Sequence, residues 1–320
     1  MTNRWLLPEY VEDLLPPDAW RLETARRALL DLFRERRFDL VIPPLMEYME
    51  SLQTGTGRDM DLLTFRLVDQ LNGRQLGIRA DMTLQVARMD AHDLSHVGVN
   101  RLCYAGSVLH TRPAGNGQSR EPYQVGAEIY GVSDLSADLD ILQLMLEALQ
   151  RIGLRTMTVD VGHVGLFRTL TQQAGLDEKQ ETQWFEAMLQ KDVPTLQQLA
   201  GSLAQPWRQA LLALPELNGS AALLDQARAR LPHSDILLQA LEQLQAVAQH
   251  FQHRVNLTFD LAALQGYHYH SGLVFAVYAP GYADAVARGG RYDHIGRAFG
   301  RARAATGFSL DLRGLLPSLA

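Results

Sequence analysis

Apolar side chains recur at helical spacing near the start of the chain. After Pro16-Pro17-Asp18, residues Leu22, Ala25, Leu29, Leu32 and Phe33 fall on one stripe with Arg and Glu between them. That spacing predicts an amphipathic helix with a solvated outer face. Residues 39–42 form a short strand candidate ended by Pro43-Pro44, because proline brings no N–H to a central ladder. Leu63, Phe65 and Leu67 alternate with polar residues up to Asn72-Gly73, and Leu76 and Ile78 alternate beyond it, which is a hairpin pattern. Two further strands are expected at 99–109 and 123–130, joined by a polar loop with Arg112, Pro113, Gly115, Gly117 and Arg120. Hairpin-linked strands imply antiparallel pairing. A second stripe, Leu139, Leu142, Met145, Leu149 and Ile152, predicts a helix over 136–152.

From about residue 176 to 252 the pattern changes. Gln, Leu and Ala dominate, and Pro194, Pro206, Pro215 and Pro232 punctuate helical segments. Strand-like sequence returns at 255–260 and 264–278. The expected organisation is an α+β core of residues 1–175 and 253–320, its strands forming one sheet, around a helical insertion at 176–252.

The 320 residues suit two domains at roughly 150 each, and 47% apolar with 21% charged residues is ordinary for a soluble globular chain. The single cysteine, Cys103, rules out an intrachain disulfide and zinc sites built on two or four thiolates. A net charge of −6 offers no general field for nucleic acid. Trp5-Leu6-Leu7 is too short an apolar run for a signal peptide, and no run reaches the length of a membrane span. A cytoplasmic protein without a membrane partner is expected.

Common catalytic signatures are missing: no phosphate-binding G-x-x-x-x-G-K-[ST], no G-x-S-x-G elbow and no H-E-x-x-H. His268 and His270 would share a face on a strand, yet no other ligand cluster converges on them, so no metal is expected. On strand 123–130, alternation places Tyr123, Val125, Ala127 and Ile129 on one face and Gln124, Gly126 and Glu128 on the other. The second face is either a ligand surface, with Gly126 admitting close approach, or a solvated outer face. Asp81 or Thr83 can cap the helix that follows Arg79-Ala80-Asp81-Met82-Thr83. The stretch Gln265-Gly266-Tyr267-His268-Tyr269-His270-Ser271-Gly272 concentrates rings with polar tips on an expected strand, and each buried tip needs a partner.

Together these segments resemble the catalytic domain of histidyl-tRNA synthetase, a class II synthetase. Residues 8–17, with Asp13-Leu14-Leu15-Pro16, resemble its N-terminal signature, and Ile42-Pro43-Pro44-Leu45 its first motif. Residues 76–83 resemble the amino-acid loop, 104–131 the second motif and histidine strand, and 265–275 the tyrosine segment. Gly289-Gly290-Arg291-Tyr292-Asp293 resembles the glycine turn, and 307–315 the third motif. The resemblance implies a class II antiparallel sheet flanked by helices. It also implies that Asp81, Thr83 and Gln124 meet a histidine α-amino group while Glu128, Tyr269 and His270 grip the imidazole. Arg112, Gln265 and Tyr267 are secondary candidates.

Departures from the synthetase pattern carry equal weight. His110 stands where the second motif has a phosphate-gripping arginine, Gly314 where the third does (with Arg313 one position earlier), and Gln265 where the histidine segment has another. Charge builds on phosphate during adenylate formation, and losing such cations costs orders of magnitude. The chain ends just after the third motif, so no tRNA is expected. The spellings Gly266-Tyr267-His268-Tyr269-His270-Ser271-Gly272 and His110-Thr111-Arg112-Pro113-Ala114-Gly115 are similar to the regulatory subunits of ATP phosphoribosyltransferase. That resemblance implies a non-catalytic chain without a cofactor, homodimeric through its synthetase-like core. Its partner would be the short-form catalytic subunit, in a hetero-octamer, with histidine as effector. The alternative is a histidine-activating, adenylate-forming enzyme.

Overall fold

The computed structural model describes residues 6–52, 58–94, 98–113, 115 and 118–319. Trp5, Ala114, Asn116 and Gly117 lie outside the described residues. The chain divides into two units. The first comprises Met1–Ser133, Asp140–Arg155 and Asp293–Ala320, and the second Asp134–Leu139 and Thr156–Tyr292.

In the first unit the helix Asp18–Glu35 buries Leu22, Ala25, Leu29, Leu32 and Phe33, the stripe expected from spacing. Its strand Tyr123–Tyr130 is flanked by Asn100–Ser107 and Ala305–Asp311, both antiparallel to it. The edge strand Asp39–Leu40 pairs in parallel with Asn100–Ser107, so the sheet is not purely antiparallel. The hairpin joins Phe65–Val68 to Gln75–Ile78, which also pairs with Met46–Tyr48, giving a separate three-stranded sheet. Leu142, Met145, Leu149 and Ile152 are buried, as the second stripe requires.

In the second unit Leu273–Tyr278 lies between Ala287–Arg291 and Thr158–His163 and is antiparallel to both. Thr158–His163 pairs in parallel with Asn256–Asp260, so strands on either side of residues 176–252 are neighbours. The intervening chain forms the helices Glu178–Leu189, Val193–Ala200, Trp207–Ala213, Leu223–Arg230 and Asp235–Phe251, and a two-residue strand at Asn218–Gly219. A capping box starts Glu178–Leu189: Asp177 accepts from the Gln180 N–H while the Gln180 side chain accepts from the Asp177 N–H.

Residues 264–272 are not strand, which corrects the expectation for 264–278. Gly266 adopts φ +69°, and its carbonyl accepts from the N–H groups of Tyr269 and His270, while Leu264 O accepts from Tyr267 N. Consecutive turns consume the donors that a ladder would need. His268 and His270 therefore do not share a strand face: His268 is exposed and His270 buried.

Candidate functional site

The first unit assembles Asp81, Thr83, Gln124 and Glu128 into one hydrogen-bonded chain. The helix Thr83–His92 starts without a side-chain cap at Met82, and Asp81 Oδ1 instead accepts from the Thr83 N–H at 2.6 Å. Asp81 Oδ2 accepts from Gln124 Nε2 at 2.6 Å, and Gln124 Oε1 accepts from the Met82 N–H at 2.8 Å. The amide thus locks the carboxylate and the loop backbone in one orientation. Thr83 Oγ1 lies 3.2 Å from the Tyr104 hydroxyl, which donates to Glu128 Oε1 at 3.1 Å. A phenol has one proton, so the Thr83 hydroxyl donates to Tyr104. The Tyr130 hydroxyl donates to the other Glu128 oxygen.

Gln124 and Glu128 are buried, so their face is not the solvated one that alternation left open. The role of Gly126 also differs from the expectation of a ligand approach. A Cβ there would stand 2.5 Å from the Tyr104 ring and 2.6 Å from the Phe308 carbonyl. Tyr104, paired opposite Gly126, fills the space itself. Burial, reinforced by the charges of Glu128 and Asp81, pushes the Tyr104 phenol well above its ordinary pKa, so it stays a donor.

Neither Tyr104 nor Tyr130 was selected from sequence. The signal for Tyr104 is its cross-strand register with a glycine, which periodicity within one strand does not give. Arg79 is likewise buried across Gly106, donating to Ser107 O at 2.9 Å and Pro43 O at 2.7 Å, and burial lowers its pKa. His110 bonds Ala80 O through Nε2 at 2.9 Å, Arg313 lies 3.5 Å from the Glu121 carboxylate, and Arg112 is exposed.

In the second unit His270 is buried with its ring against Gly266 and Gly290, where a Cβ would come to 2.7 and 2.8 Å from it. Nδ1 lies 3.2 Å from Arg291 O, and because a carbonyl only accepts, Nδ1 carries the proton. Burial pulls the imidazole down to about 4, so it is neutral at pH 7. The Tyr269 ring lies against it at a tilt of 32°, with 4.0 Å between ring centroids. Arg168 Nη2 donates at 3.0 Å to the carbonyls of both Tyr267 and His270. The Tyr267 hydroxyl donates to Glu181, and its ring sits 5.3 Å from both Phe167 and Phe185. Tyr267 is thus held by neighbouring helices, while Gln265 is exposed. Among the described residues no group of three or more His, Cys, Asp or Glu is placed to hold a metal ion, and no helix is long and apolar enough to cross a membrane.

The family model for histidyl-tRNA synthetase matches residues 10–315. The chain is 56% identical over 98% of its length to the ATP phosphoribosyltransferase regulatory subunit of Thiobacillus denitrificans, covering 97% of that protein. The chain belongs to the ATP phosphoribosyltransferase regulatory subunits, a branch of the histidyl-tRNA synthetase family. A structure similar to this family member is an ATP phosphoribosyltransferase regulatory subunit/histidyl-tRNA synthetase from Bacillus halodurans. It is 26% identical, with a TM-score of 0.88 over 99% of this chain and 84% of that one. The ATP phosphoribosyl transferase (HisG:HisZ) complex of Thermotoga maritima contains a chain of the same fold, at 19% identity and a TM-score of 0.70 over 94% of this chain and 98% of that one. The class II synthetase fold expected from the motifs is thereby established for the regulatory-subunit family member described here.

Proposed function

We propose that this regulatory subunit is non-catalytic: it activates the short-form ATP phosphoribosyltransferase catalytic subunit in the cytoplasm, supports the first step of histidine biosynthesis and carries histidine feedback. The observation that carries the non-catalytic reading is the chemistry at the three positions where the synthetase motifs place arginines. His110 is tied to the Ala80 carbonyl, Gly314 has no side chain, and Gln265 is an exposed amide. None supplies a fixed cation for phosphate. Histidine-dependent ATP–pyrophosphate exchange by the purified chain is expected to be absent, while mixing with the catalytic subunit raises phosphoribosyltransferase activity. Robust exchange, abolished by Glu128→Ala, would establish the adenylate-forming alternative.

Histidine is the proposed effector. Asp81, Thr83 and Gln124 are assigned to its amino group, and Glu128, Tyr269 and His270 to its imidazole, as the resemblance implies. Support comes from the buried Glu128 carboxylate and the hydrogen-bonded Asp81 carboxylate of the first unit and the neutral imidazole of the second. Charge-assisted bonds to Asp81 and Glu128 contribute about 1.5–3 kcal/mol each. Calorimetry on the complex with Asp81→Asn and Glu128→Gln tests each set separately, and unchanged histidine affinity in both variants would exclude this assignment.

Residues 176–252 are proposed as an insertion into the core. Homodimerisation is proposed through the helix Asp18–Glu35 and the strand Asp39–Leu40. It is supported by the exposed apolar side chains Leu40, Ile42 and Leu45 beside that edge. The dimer joins catalytic subunits in a hetero-octamer, with no tRNA and no membrane partner. Light scattering at micromolar concentration is expected to show a dimer, and monomer alone would count against it.

A further inference from the structure

We propose that Tyr104 is a positioning residue that sets specificity at the amino end of the first-unit site. By fixing the direction of the Thr83 proton it leaves only acceptors there, so the site takes an ammonium group and rejects a hydroxyl in its place. This role rests on the histidine reading above and adds the residue that decides which hydrogen-bonding groups are recognised.

The direction of each proton follows from the fixed ends of the hydrogen-bonded chain. A backbone N–H only donates, and a carboxylate only accepts. The Met82 N–H donates to Gln124 Oε1, so the amide turns its Nε2 to Asp81. The Tyr104 hydroxyl lies 3.1 Å from Glu128 Oε1 and gives its one proton there. Toward Thr83 Oγ1, at 3.2 Å, the same phenol oxygen is left as an acceptor, so the Thr83 proton points to it. Burial, with the charges of Glu128 and Asp81, keeps the phenol protonated and the direction fixed.

The donors of Gln124, Thr83 and Tyr104 are thereby all engaged within the chain. Tyr104, Gln124 and Glu128 are buried, whereas Asp81 and Thr83 are half-buried, so the chain opens at their end. Lone pairs of Thr83 Oγ1 and of the Asp81 carboxylate are what that end presents. Among the described residues no other hydrogen bond reaches Thr83 Oγ1. An ammonium group brings three donors and suits this set. A hydroxyl brings one, so its oxygen meets a second acceptor oxygen with no hydrogen between them, and that mismatch costs affinity in a half-buried site.

The test is calorimetric titration of the complex with L-histidine and with its hydroxy analogue, L-3-(imidazol-4-yl)lactate. The chains compared are wild type, Tyr104→Phe, Thr83→Val, the double variant and Asp81→Asn. Both ligands carry the same imidazole and carboxylate, so any effect of Tyr104→Phe through Glu128 cancels in the ratio of the two affinities. Wild type is expected to favour histidine by about a hundredfold or more. Tyr104→Phe releases the Thr83 proton to the ligand hydroxyl, and the ratio is expected to fall by about tenfold or more. Lost packing alone lowers both affinities and leaves the ratio where it was. Thr83→Val is expected to lower the ratio as well, and adding Tyr104→Phe to change it by less than about twofold, because Tyr104 acts through Thr83. A ratio in Tyr104→Phe within twofold of wild type, with histidine affinity still lowered in Asp81→Asn, overturns the role of Tyr104 and leaves the histidine reading standing. Undetectable binding of the hydroxy analogue in every chain counts as an unchanged ratio. Histidine affinity unchanged in Asp81→Asn, or no histidine binding at all, overturns the reading of the amino end and the role of Tyr104 with it. If Tyr104→Phe fails to fold, which circular dichroism reports, Thr83→Val decides: an unchanged ratio there also overturns the proposal.

Discussion

Acidification from pH 7.5 to 5 is expected to destabilise the second unit through two buried histidines, His163 and His270. Burial holds both imidazoles near a pKa of about 4, against an ordinary 6.5. His163 caps the helix Val164–Gln173: its Nδ1 accepts from the Gly165 N–H at 3.1 Å, and Nε2 donates to Gln243 Oε1 at 3.0 Å. Protonating Nδ1 would turn the cap acceptor into a donor facing a donor. Between pH 4 and 6.5 the unfolded chain binds a proton that the folded chain refuses, so stability rises with pH across this window. The contribution is intact above pH 6.5 and lost as pH falls toward 4. The full gap corresponds to about 3 kcal/mol per residue, and about 2 kcal/mol is lost by pH 5. Urea unfolding followed by fluorescence of the buried Trp184, at both pH values, measures it. His163→Asn retains a capping oxygen and removes the titration, so its acid-induced loss should be smaller than that of wild type by about 2 kcal/mol. If His163→Asn and His270→Asn both lose as much stability on acidification as wild type, the account of these imidazoles is wrong.

Arg303→Met should cost the first unit about 3–5 kcal/mol, because it strands the buried Asp90 carboxylate. That carboxylate now accepts from Arg303 at 2.7 Å and Asn100 at 2.5 Å, and the urea midpoint reports the loss. Gly126→Ala should destabilise by about 1–3 kcal/mol, since the new methyl meets the Tyr104 ring and a backbone carbonyl. An unchanged unfolding midpoint in that variant would contradict the packing described. Cys103, buried and pushed up to about 12 mainly by burial, should resist a disulfide reagent at pH 8 until urea is added. Prompt labelling of the native chain would show that the thiol is accessible.

Periodicity located the elements that bury one face. The stripe of Asp18–Glu35 and the alternation around Asn72-Gly73 were readable because each follows from one local period. Alternation also grouped Gln124 with Glu128, but could not tell a buried second face from a wet one. That distinction depends on what covers the strand, and here Tyr104 and the loop 79–83 do so through contacts that are distant in sequence. The expectation of strand over 264–272 followed from its likeness to strand sequence, with four ring side chains in succession from Tyr267 to His270. A single positive φ at Gly266 decides otherwise, and glycine tolerates both outcomes.

The same loop explains what one helix of residues 176–252 does for the rest of its unit. A run of turns has few ladder bonds, so the orientation of Tyr269 and His270 must be fixed from outside. Arg168, from Val164–Gln173, takes two of the loop's carbonyls, and Glu181, from Glu178–Leu189, takes the Tyr267 hydroxyl. Phe167 and Phe185 close on the Tyr267 ring from the same two helices. Removing the Glu181 carboxylate would leave the Tyr267 hydroxyl without its acceptor, and only the ring contacts and the Arg168 bonds would then hold the loop. Glu181→Ala should therefore weaken any ligand contact made by His270 while leaving the Asp81–Gln124 bond of the first unit unchanged. The helix Glu178–Leu189 thus buttresses, through Tyr267, the loop that carries His270.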